Sequence, residues 1–383
     1  MNIKKSIRRF AKNAYLWYCS NVLGVQKNKV VFVSFNGKSY SDNPRAISEA
    51  LHKECPEAEI VWLFTAPDKK KAIVPPYVKV ADMSSVMTYN KELCTCKVLV
   101  TNFLLPKIQK SKKQFFIQTW HGDRAFKKVL LDATHPHVWE QEEGYCDLAI
   151  AGSDYGERQY RSAFAYTGKV LKVGTPRDDR YLDPNPEEIA ALRQKIGVPA
   201  GKKILLYAPT LRDQARDAGE KQKTQDVDIS HTLDALEQKY GEQWVCLVRA
   251  HPGVIGLSGI EYSDRIMDVS AYEDMGDLLL ISDMLITDYS SCAGDFALLE
   301  RPLVLFQSDI KDYSQNTRQL YFDVSESPYF IAENQTELET LIVSFTDQRV
   351  KENCKAILDF YGTYECGNAA VEVAKIIKEQ ISS

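Results

Sequence analysis

Two histidines stand directly after apolar runs that have the composition of buried strands. His121 follows QFFIQTW, and His251 follows WVCLVRA, in which Arg249 stands two residues before the histidine. The residues just past the carboxyl ends of strands are where open α/β sheets bind ligands. A neutral imidazole near pH 7 can take a proton from a hydroxyl group, and an arginine suits a phosphate. Both histidines are therefore candidate catalytic residues.

Each histidine taken alone is more typical of a structural hydrogen-bonding residue or of the surface. The chain has six histidines, and the other four lack this position after a strand. His121 and His251 fall in different halves of the chain, where a cleft between two domains would bring them together. Lys127 follows His121 within two helical turns and adds positive charge. This distribution favours a shared site for a phosphorylated ligand.

A third stretch, MLITDYSSCAG, carries hydroxyl groups from the end of an apolar strand into a helix of small residues. Its polar side chains are Thr287, Asp288, Ser290 and Ser291. Hydroxyl groups and free backbone N–H groups at a helix start can bind an anion, because the helix dipole points at the same place. A serine that caps the helix without any ligand fits the pattern equally well.

Several common sites are missing from the sequence. There is no GxxxxGK[ST] loop, no GxGxxG after the first strand and no GxSxG elbow. The DxD formed by Asp226 and Asp228 lies in the polar stretch 212–230, which is more typical of a solvated surface loop than of a metal site. We therefore expect no metal and no cofactor. We expect the charges of side chains and the dipoles of helix ends to replace a metal.

The overall composition of the chain argues against several classes of protein. The chain has 383 residues, 44% of them hydrophobic, a formal net charge of -4 and a pI near 6.0. A general nucleic-acid binder needs a cationic surface, so no nucleic-acid partner is expected. Nine cysteines without a CxxC pair are typical of a reducing compartment. No apolar run reaches the ~18 residues of a membrane span, so we expect neither a transmembrane nor a secreted protein.

The first residues have the pattern of a helix that lies on a membrane surface. Apolar residues recur at helical spacing and basic residues fill the other faces. The apolar positions are Ile3, Ile7, Phe10, Ala14 and Trp17, and the basic ones are Lys4, Lys5, Arg8, Arg9 and Lys12. We predict an anionic membrane surface as the partner of this helix. The alternative is an amphipathic helix packed on its own domain.

Strands and helices alternate along the rest of the chain, which indicates parallel sheets. Six strands are predicted before a proline-rich stretch near residue 184, and four after it. The predicted strands are KVVFVSF, AEIVWLFTA, KVLVTN, QFFIQTW, DLAIAGS, KVLKVGTP, KILLYAPT, WVCLVRAHP, DMLITDYS and RPLVLFQS. The fold class is α/β, with two Rossmann-like domains facing each other across a cleft. We predict an N-terminal amphipathic helix at 1–28, domains at 29–183 and 184–355, and a C-terminal helix at 356–383.

Five motifs in order resemble the CDP-glycerol glycerophosphotransferase family of teichoic acid and capsule synthesis. They are QTWHG at 118–122, GTPRDD at 174–179, YAPTLRD at 207–213, RAHP at 249–252 and TDYSSCAGDFALLERP at 287–302. SFNGKSYSDNPRAISEAL near the start is similar too. The resemblance covers about residues 30–325, and five ordered motifs are far more specific than any single one.

The resemblance implies a glycosyltransferase-B type fold, with an acceptor domain followed by a CDP-donor domain. It implies a bacterial enzyme, peripheral on the cytoplasmic face of the cell membrane. The reaction would transfer glycerol phosphate from CDP-glycerol to a hydroxyl of a lipid-linked glycan or polyol-phosphate acceptor and release CMP. His121 matches the family's base on the acceptor hydroxyl, and His251 matches the histidine at the donor pyrophosphate. The implied substrate-binding residues are Arg212, Arg249, Thr287, Asp288, Ser290, Ser291 and Lys127.

Several alternatives stay open. Many relatives read WHGTPLKK, whereas this chain reads WHGDRAFKK with one more residue between His121 and Lys127, so the acceptor side can differ. CDP-ribitol is an alternative donor, and a nucleotide-sugar glycosyltransferase of the same fold is an alternative enzyme. A peripheral membrane scaffold without activity is the non-enzymatic reading, and a homo-oligomer is compatible with the sequence.

Overall fold

The computed structural model describes residues 3–105, 110–133, 146–211, 222–223, 226–251, 256–310 and 319–382. These residues form an α/β fold built on two separate parallel sheets. Strands of the first sheet come from the first half of the chain and strands of the second from the rest. The parallel sheets and the α/β class predicted from alternating strands and helices are confirmed.

The first sheet has seven strands in the order β3-β2-β1-β4-β5-β6-β7, and every neighbouring pair is parallel. Its strands are β1 Gln26–Val33, β2 Glu59–Phe64, β3 Lys79–Asp82, β4 Cys96–Thr101, β5 Phe115–Gln118, β6 Leu148–Ala151 and β7 Lys169–Lys172. The last five residues of β1 are all buried, because both faces of a parallel sheet are covered. The strand order reverses between β1 and β4.

The second sheet has six strands in the order β12-β10-β8-β13-β14-β15, again all parallel. These are β8 Lys203–Tyr207, β10 Trp244–Val248, β12 Ile266–Asp268, β13 Met284–Thr287, β14 Leu303–Phe306 and β15 Phe330–Ala332; β9 Gln222–Lys223 and β11 Leu257–Ser258 pair separately. The order of this sheet reverses between β8 and β13. Open α/β sheets bind ligands beyond the carboxyl ends of their strands at such reversals.

Helices connect the strands in the described part of the chain. They are α1 Ile3–Tyr18, α2 Asp42–Glu54, α3 Pro67–Lys70, α4 Val86–Thr95, α5 Asp154–Ser162, α6 Asp179–Leu182, α7 Pro186–Ile196, α8 Ile229–Tyr240, α9 Met275–Ile281, α10 Cys292–Phe296, α11 Gln335–Ser344, α12 Asp347–Tyr361 and α13 Ala369–Ser382. Local sequence sets their ends. The Asn185 side chain accepts a hydrogen bond from the backbone of α7, whose other end stops at Gly197 in a left-handed conformation.

The two last helices pack on different sheets. In α12, Ile357 and Tyr361 are fully buried in the core around the second sheet, whereas Val373 and Ile377 of α13 are buried against the first. The chain therefore returns to the first sheet at its end. The boundary predicted between residues 355 and 356 falls inside α12, and the one predicted between 28 and 29 falls inside β1. The boundary at 183–184 lies between the last strand of the first sheet and the first strand of the second.

The N-terminal segment forms a helix and then a short π-helical turn. The helix α1 runs over Ile3–Tyr18 and the turn over Cys19–Leu23, which packs against α4 through the buried Cys19. Phe10, Trp17 and Val22 are 76%, 62% and 57% exposed. Within the described ranges, no helix combines the length and the apolar character that crossing a bilayer requires.

Candidate active site

The imidazole of His121 is held in one tautomer. Its Nδ1 lies 2.7 Å from the backbone carbonyl oxygen of Asn102, and a carbonyl can only accept, so in the neutral ring Nδ1 carries the proton. Asn102 is fixed in turn, because its Oδ1 accepts from the Phe35 N–H at 2.9 Å and its Nδ2 donates to Ser34 Oγ at 3.2 Å. Nε2 is thereby left as the proton acceptor. The ring has the chemistry of a general base.

Aromatic rings enclose His121. Trp120 lies 4.2 Å away between ring centroids, Phe35 5.2 Å and Phe103 5.6 Å. Burial lowers the pKa of His121, an effect that the Asn102 carbonyl and Asp42 oppose and the Arg177 guanidinium reinforces. Since the ordinary pKa is 6.5, the ring is neutral at pH 7 and able to accept a proton.

The backbone around His121 is strained. Trp120, directly before it, has a φ of 50°, and Phe35 and Asp42 have φ of 44° and 65°. Each such residue costs about 1–3 kcal/mol and persists only where neighbours enforce it. Here Gln118 Oε1 accepts from the Trp120 N–H at 2.9 Å, and Asn43 Nδ2 donates to the Trp120 carbonyl at 3.1 Å. The position of His121 is therefore fixed before any substrate binds.

Arg249 is a cation at the carboxyl end of the strands of the second sheet. It follows β10 directly and is partly buried, with its Nε inaccessible to solvent, and its terminal nitrogen donates to the Tyr272 carbonyl at 3.3 Å. Its Nε has no hydrogen-bond partner among the described residues, and no described carboxylate forms an ion pair with it. Burial lowers the pKa of Arg249, and Asp274 partly offsets that effect. A buried, incompletely satisfied guanidinium is a site for an anion.

The predicted phosphate stretch divides into two parts. Thr287 and Asp288 are each 1% exposed. The Thr287 hydroxyl donates to the Ala208 carbonyl at 2.7 Å, and Asp288 Oδ1 accepts from the backbone of Thr210 at 2.9 Å, so both side chains tie the end of β13 to that of β8. Ser290 and Ser291 follow and are partly exposed. We name Ser290 and Ser291 the serine turn.

The loop of His121 and the serine turn are neighbours. A β-carbon built on Gly122 would stand 4.0 Å from Ser291 Oγ. Gly122 belongs to the loop after β5 of the first sheet, and Ser291 to the loop after β13 of the second. The carboxyl ends of the two sheets therefore meet at one place, with a base on one side and hydroxyl groups on the other.

For three other predicted site residues, the structure gives little information on their role. His251 is exposed at the end of a described range, two residues after Arg249. Lys127 lies at a short antiparallel backbone bridge with Leu320. Arg212 lies outside the described residues.

A buried charge cluster lies beneath the site and was not predicted from the sequence. Arg124 is 0% exposed and contacts Asp178 at 3.0 Å, Asp295 at 2.8 Å and Glu365. A β-carbon on Gly294 would stand 2.6 Å from Arg124 Cδ, so only glycine lets the arginine pass. The signals present were the acidic residues inside two of the motifs and the Asp-Arg pair after WHG. Nothing in their spacing showed that they would be buried together.

The cluster carries more acid than base. Burial raises the pKa of Asp178 and of Glu365, and Arg124 opposes the rise in both. Removing one member would leave a buried charge without compensation, which typically costs about 3–5 kcal/mol.

In the parts of the chain that the structure describes, no group of three His, Cys, Asp or Glu residues could hold a metal ion.

Known proteins resemble this chain over almost its whole length. A family model described as CDP-Glycerol:Poly(glycerophosphate) glycerophosphotransferase matches residues 16–379. The teichoic acid glycerol-phosphate transferase of Staphylococcus aureus (strain NCTC 8325 / PS 47) is 31% identical over 377 residues, covering 92% of this chain and 93% of that protein. The teichoic acid poly(glycerol phosphate) polymerase of Bacillus subtilis (strain 168) is 30% identical over 383 residues, covering 94% of this chain. The chain spans 50% of the length of that polymerase.

A solved structure agrees with the fold. The wall teichoic acid polymerase TagF superposes with a TM-score of 0.84 at 29% sequence identity, covering 99% of this chain and 96% of that chain. The match includes both parallel sheets, so their arrangement in this chain is that of a known structure.

Proposed function

The chain belongs to the CDP-glycerol:poly(glycerophosphate) glycerophosphotransferase family, and we propose that it transfers glycerol phosphate from CDP-glycerol to a hydroxyl group of a lipid-linked acceptor. CMP is the second product. The family predicted from the five motifs is thereby confirmed. The donor, the acceptor and the residues that act on them are our proposal.

One observation supports this function most strongly. The Nε2 of His121 is left as a proton acceptor, and the loop that carries it stands beside the serine turn. A base next to a phosphate-binding turn is what transfer to a hydroxyl requires, because phosphoryl transfer depends on positioning and on neutralising negative charge.

The proposed reaction is a displacement at phosphorus. The acceptor hydroxyl oxygen forms a bond to the phosphorus of glycerol phosphate, while the bond from that phosphorus to the CMP oxygen breaks. The hydroxyl proton passes to His121 Nε2, and CMP leaves with the electron pair. Arg249 and the serine turn bind the donor phosphates, and His251 stands at the pyrophosphate as the resemblance implies. The partly dry setting of Arg249 strengthens its attraction to phosphate.

The two sheets correspond to the proposed acceptor and donor domains. Residues 29–183 contain His121 and all of the first sheet except the first three residues of β1, and residues 184–355 contain Arg249, the serine turn and the second sheet. Two Rossmann-like domains that face each other across a cleft would place the reaction between these edges, as in a glycosyltransferase-B type fold. The closeness of the Gly122 loop to Ser291 Oγ, which a β-carbon built on Gly122 would approach to 4.0 Å, supports that arrangement.

The reaction is tested by CMP release from CDP-glycerol and, in parallel, from CDP-ribitol, with a lipid-linked acceptor in detergent. We expect release from CDP-glycerol that is lost in His121→Ala and retained in His231→Ala, whose histidine is exposed on α8. Release from CDP-ribitol alone would change the donor. Protection against melting by UDP- or GDP-sugars, but not by CDP-glycerol, would favour a nucleotide-sugar glycosyltransferase.

Peripheral binding to the cytoplasmic face of the membrane is the remaining part of the proposal. The basic sequence of α1 and the exposed Phe10, Trp17 and Val22 support it, since anionic lipids attract lysines and aromatic side chains enter the interface.

The membrane proposal is tested with vesicles of anionic lipid. We expect weaker binding when Lys4, Lys5, Arg8 and Arg9 are replaced by Gln. The control removes the same charge elsewhere, from the exposed lysines Lys351, Lys355, Lys375 and Lys378. Equal loss in both variants would mean that total charge, and not α1, drives the binding.

A further inference from the structure

Arg177 lies in the GTPRDD stretch, between β7 and α6, and its side chain is 10% exposed. Its guanidinium contacts Asp42 Oδ2 at 3.2 Å and Asp295 Oδ2 at 2.8 Å through different nitrogens. Its backbone N–H donates to Asn43 Oδ1 at 3.0 Å. One arginine therefore holds the start of α2 and the middle of α10.

The α2 end of this contact set supports the loop of His121. Asn43 is 1% exposed, and its Nδ2 donates to the carbonyl of the strained Trp120 at 3.1 Å. Asp42, beside it, has a φ of 65°, so this turn also needs outside support. The contacts of Arg177 with Asp42 and Asn43 fix the turn that fixes the backbone next to His121.

The other end of the contact set supports the serine turn. Asp295 is 3% exposed, and its second oxygen accepts from Arg124 at 2.8 Å. Its own N–H lies 3.4 Å from the Ser291 carbonyl, within a single turn of helix. A shift of Asp295 would therefore be carried directly to Ser291.

We propose that Arg177 is a positioning residue that sets the distance and orientation of His121 relative to the serine turn. This inference rests on the proposed function, because it concerns how the proposed base meets the proposed phosphate site. Arginine suits the role, since its planar fork presents several donors in fixed directions, whereas lysine offers one compact charge. A misplacement of about 1 Å can lower a rate by about 100-fold.

Arg177 also acts on His121 through its charge. Among the described residues, the charged groups that influence the imidazole are Arg177 and Asp42, which have opposite effects, and its other described neighbours include the Asn102 carbonyl and aromatic rings. Removal of the guanidinium leaves Asp42 unopposed and moves the acid limb of the pH profile upward. Geometry and charge can therefore be separated with two variants.

The experiment compares Arg177→Lys and Arg177→Gln with the matched control Arg180→Gln. Arg180 lies three residues along and pairs with Asp277 and Glu188, each at 2.6 Å, so it too is an arginine held by two carboxylates. No contact with Asp42 or Asp295 is described for it. For each protein we would measure kcat for CMP release with acceptor, calorimetric Kd for CDP-glycerol, the melting temperature and the pH dependence of kcat.

We expect both Arg177 variants to lose kcat by about 100-fold with little change in donor Kd. The acid limb should move to higher pH in Arg177→Gln and stay in place in Arg177→Lys, which keeps the charge. Arg180→Gln should lower the melting temperature while kcat stays close to that of the unaltered protein.

The inference is overturned if the Arg177 variants lose no more kcat than Arg180→Gln, or if donor Kd weakens in proportion to kcat. Should Arg177→Gln fail to fold, Arg177→Lys and Asp295→Asn decide, because each weakens the Arg177–Asp295 contact with little change in volume. Absence of CMP release by the unaltered protein would overturn the proposed function and this inference with it. If the unaltered protein is active and the Arg177 variants keep its kcat, only the inference is overturned.

Discussion

The edge of the first sheet around His121 and the edge of the second sheet around Arg249 are built on opposite principles. On the His121 side, neighbouring side chains complete the hydrogen bonds of a strained loop, and three aromatic rings enclose the imidazole. On the Arg249 side, a buried guanidinium keeps an N–H without a described partner. A base needs a fixed direction before substrate arrives, whereas a cation gains most when an anionic ligand supplies its missing partner.

Because of this difference, substitutions on the two sides should affect stability and function differently. Removing support on the His121 side should harm both folding and catalysis. Removing the cation on the Arg249 side should harm function alone, because an incompletely paired buried charge stabilises the fold little or not at all.

The largest effect is expected from His121→Ala. Loss of the general base should lower kcat by about 1,000-fold, within the range of general-base catalysis. The measurement is CMP release with acceptor, together with calorimetric Kd for CDP-glycerol, which should stay unchanged because the donor binds on the other side. A large loss of donor affinity would contradict the division of the site into two sides.

The next effect is expected from Arg249→Met. The variant should bind CDP-glycerol with Kd weakened by about 10- to 100-fold, since hydrogen bonds to a charged group contribute about 1.5–3 kcal/mol. Its melting temperature should equal or exceed that of the unaltered protein. Arg265, which is partly exposed, is replaced by Met as the control for loss of one positive charge. A clear drop in the melting temperature of Arg249→Met would break the comparison.

A smaller effect is expected from Asn43→Ala. The Trp120 carbonyl and the Arg177 N–H each lose a partner, so the free energy of unfolding should fall by about 1–3 kcal/mol, as for a buried group left unsatisfied. Chemical denaturation measures that change, and kcat should fall with it. Full activity in a destabilised Asn43→Ala would show that the strained loop does not need this support for catalysis.

The smallest effect concerns pH. His121 must be neutral to accept a proton, and burial lowers its pKa, so the midpoint of the acid limb of kcat/KM should lie below the ordinary pKa of 6.5. A profile measured with CDP-glycerol between pH 5 and pH 8 tests this. A midpoint above pH 6.5 would mean that another group limits the rate or that the pKa of His121 is not lowered.

The sequence predicted every interior strand of the two large sheets but missed three of their four edge strands. KVVFV and WVCLV consist almost wholly of apolar residues, and each forms a strand in the interior of its sheet. The strands β3, β12 and β15 were not predicted, because each has three or four residues and is partly exposed at or near a sheet edge. Edge strands carry too little apolar pattern to stand out from loops.

The TDYSS motif shows that the roles of single side chains could not be predicted from the sequence. Its four polar residues have similar chemistry in sequence, so all were predicted to bind substrate. In the structure Thr287 and Asp288 use their oxygens to join two strands, and only the serine turn is partly exposed. Which side a residue faces depends on the pairing of β13 with β8, and that pairing is not local.

By itself the sequence determined the α/β class, the family and the strand-end positions of His121 and Arg249, because apolar runs and ordered motifs are properties of neighbouring residues. Only the tertiary structure decided that Arg124 and Arg177 meet Asp178 and Asp295 in one buried cluster, and that the last helix returns to the first sheet. Charged residues in a sequence are ordinarily read as surface, since burying a charge is costly unless a partner compensates it. The partners here come from loops more than 50 residues apart, so the compensation exists only in the folded chain.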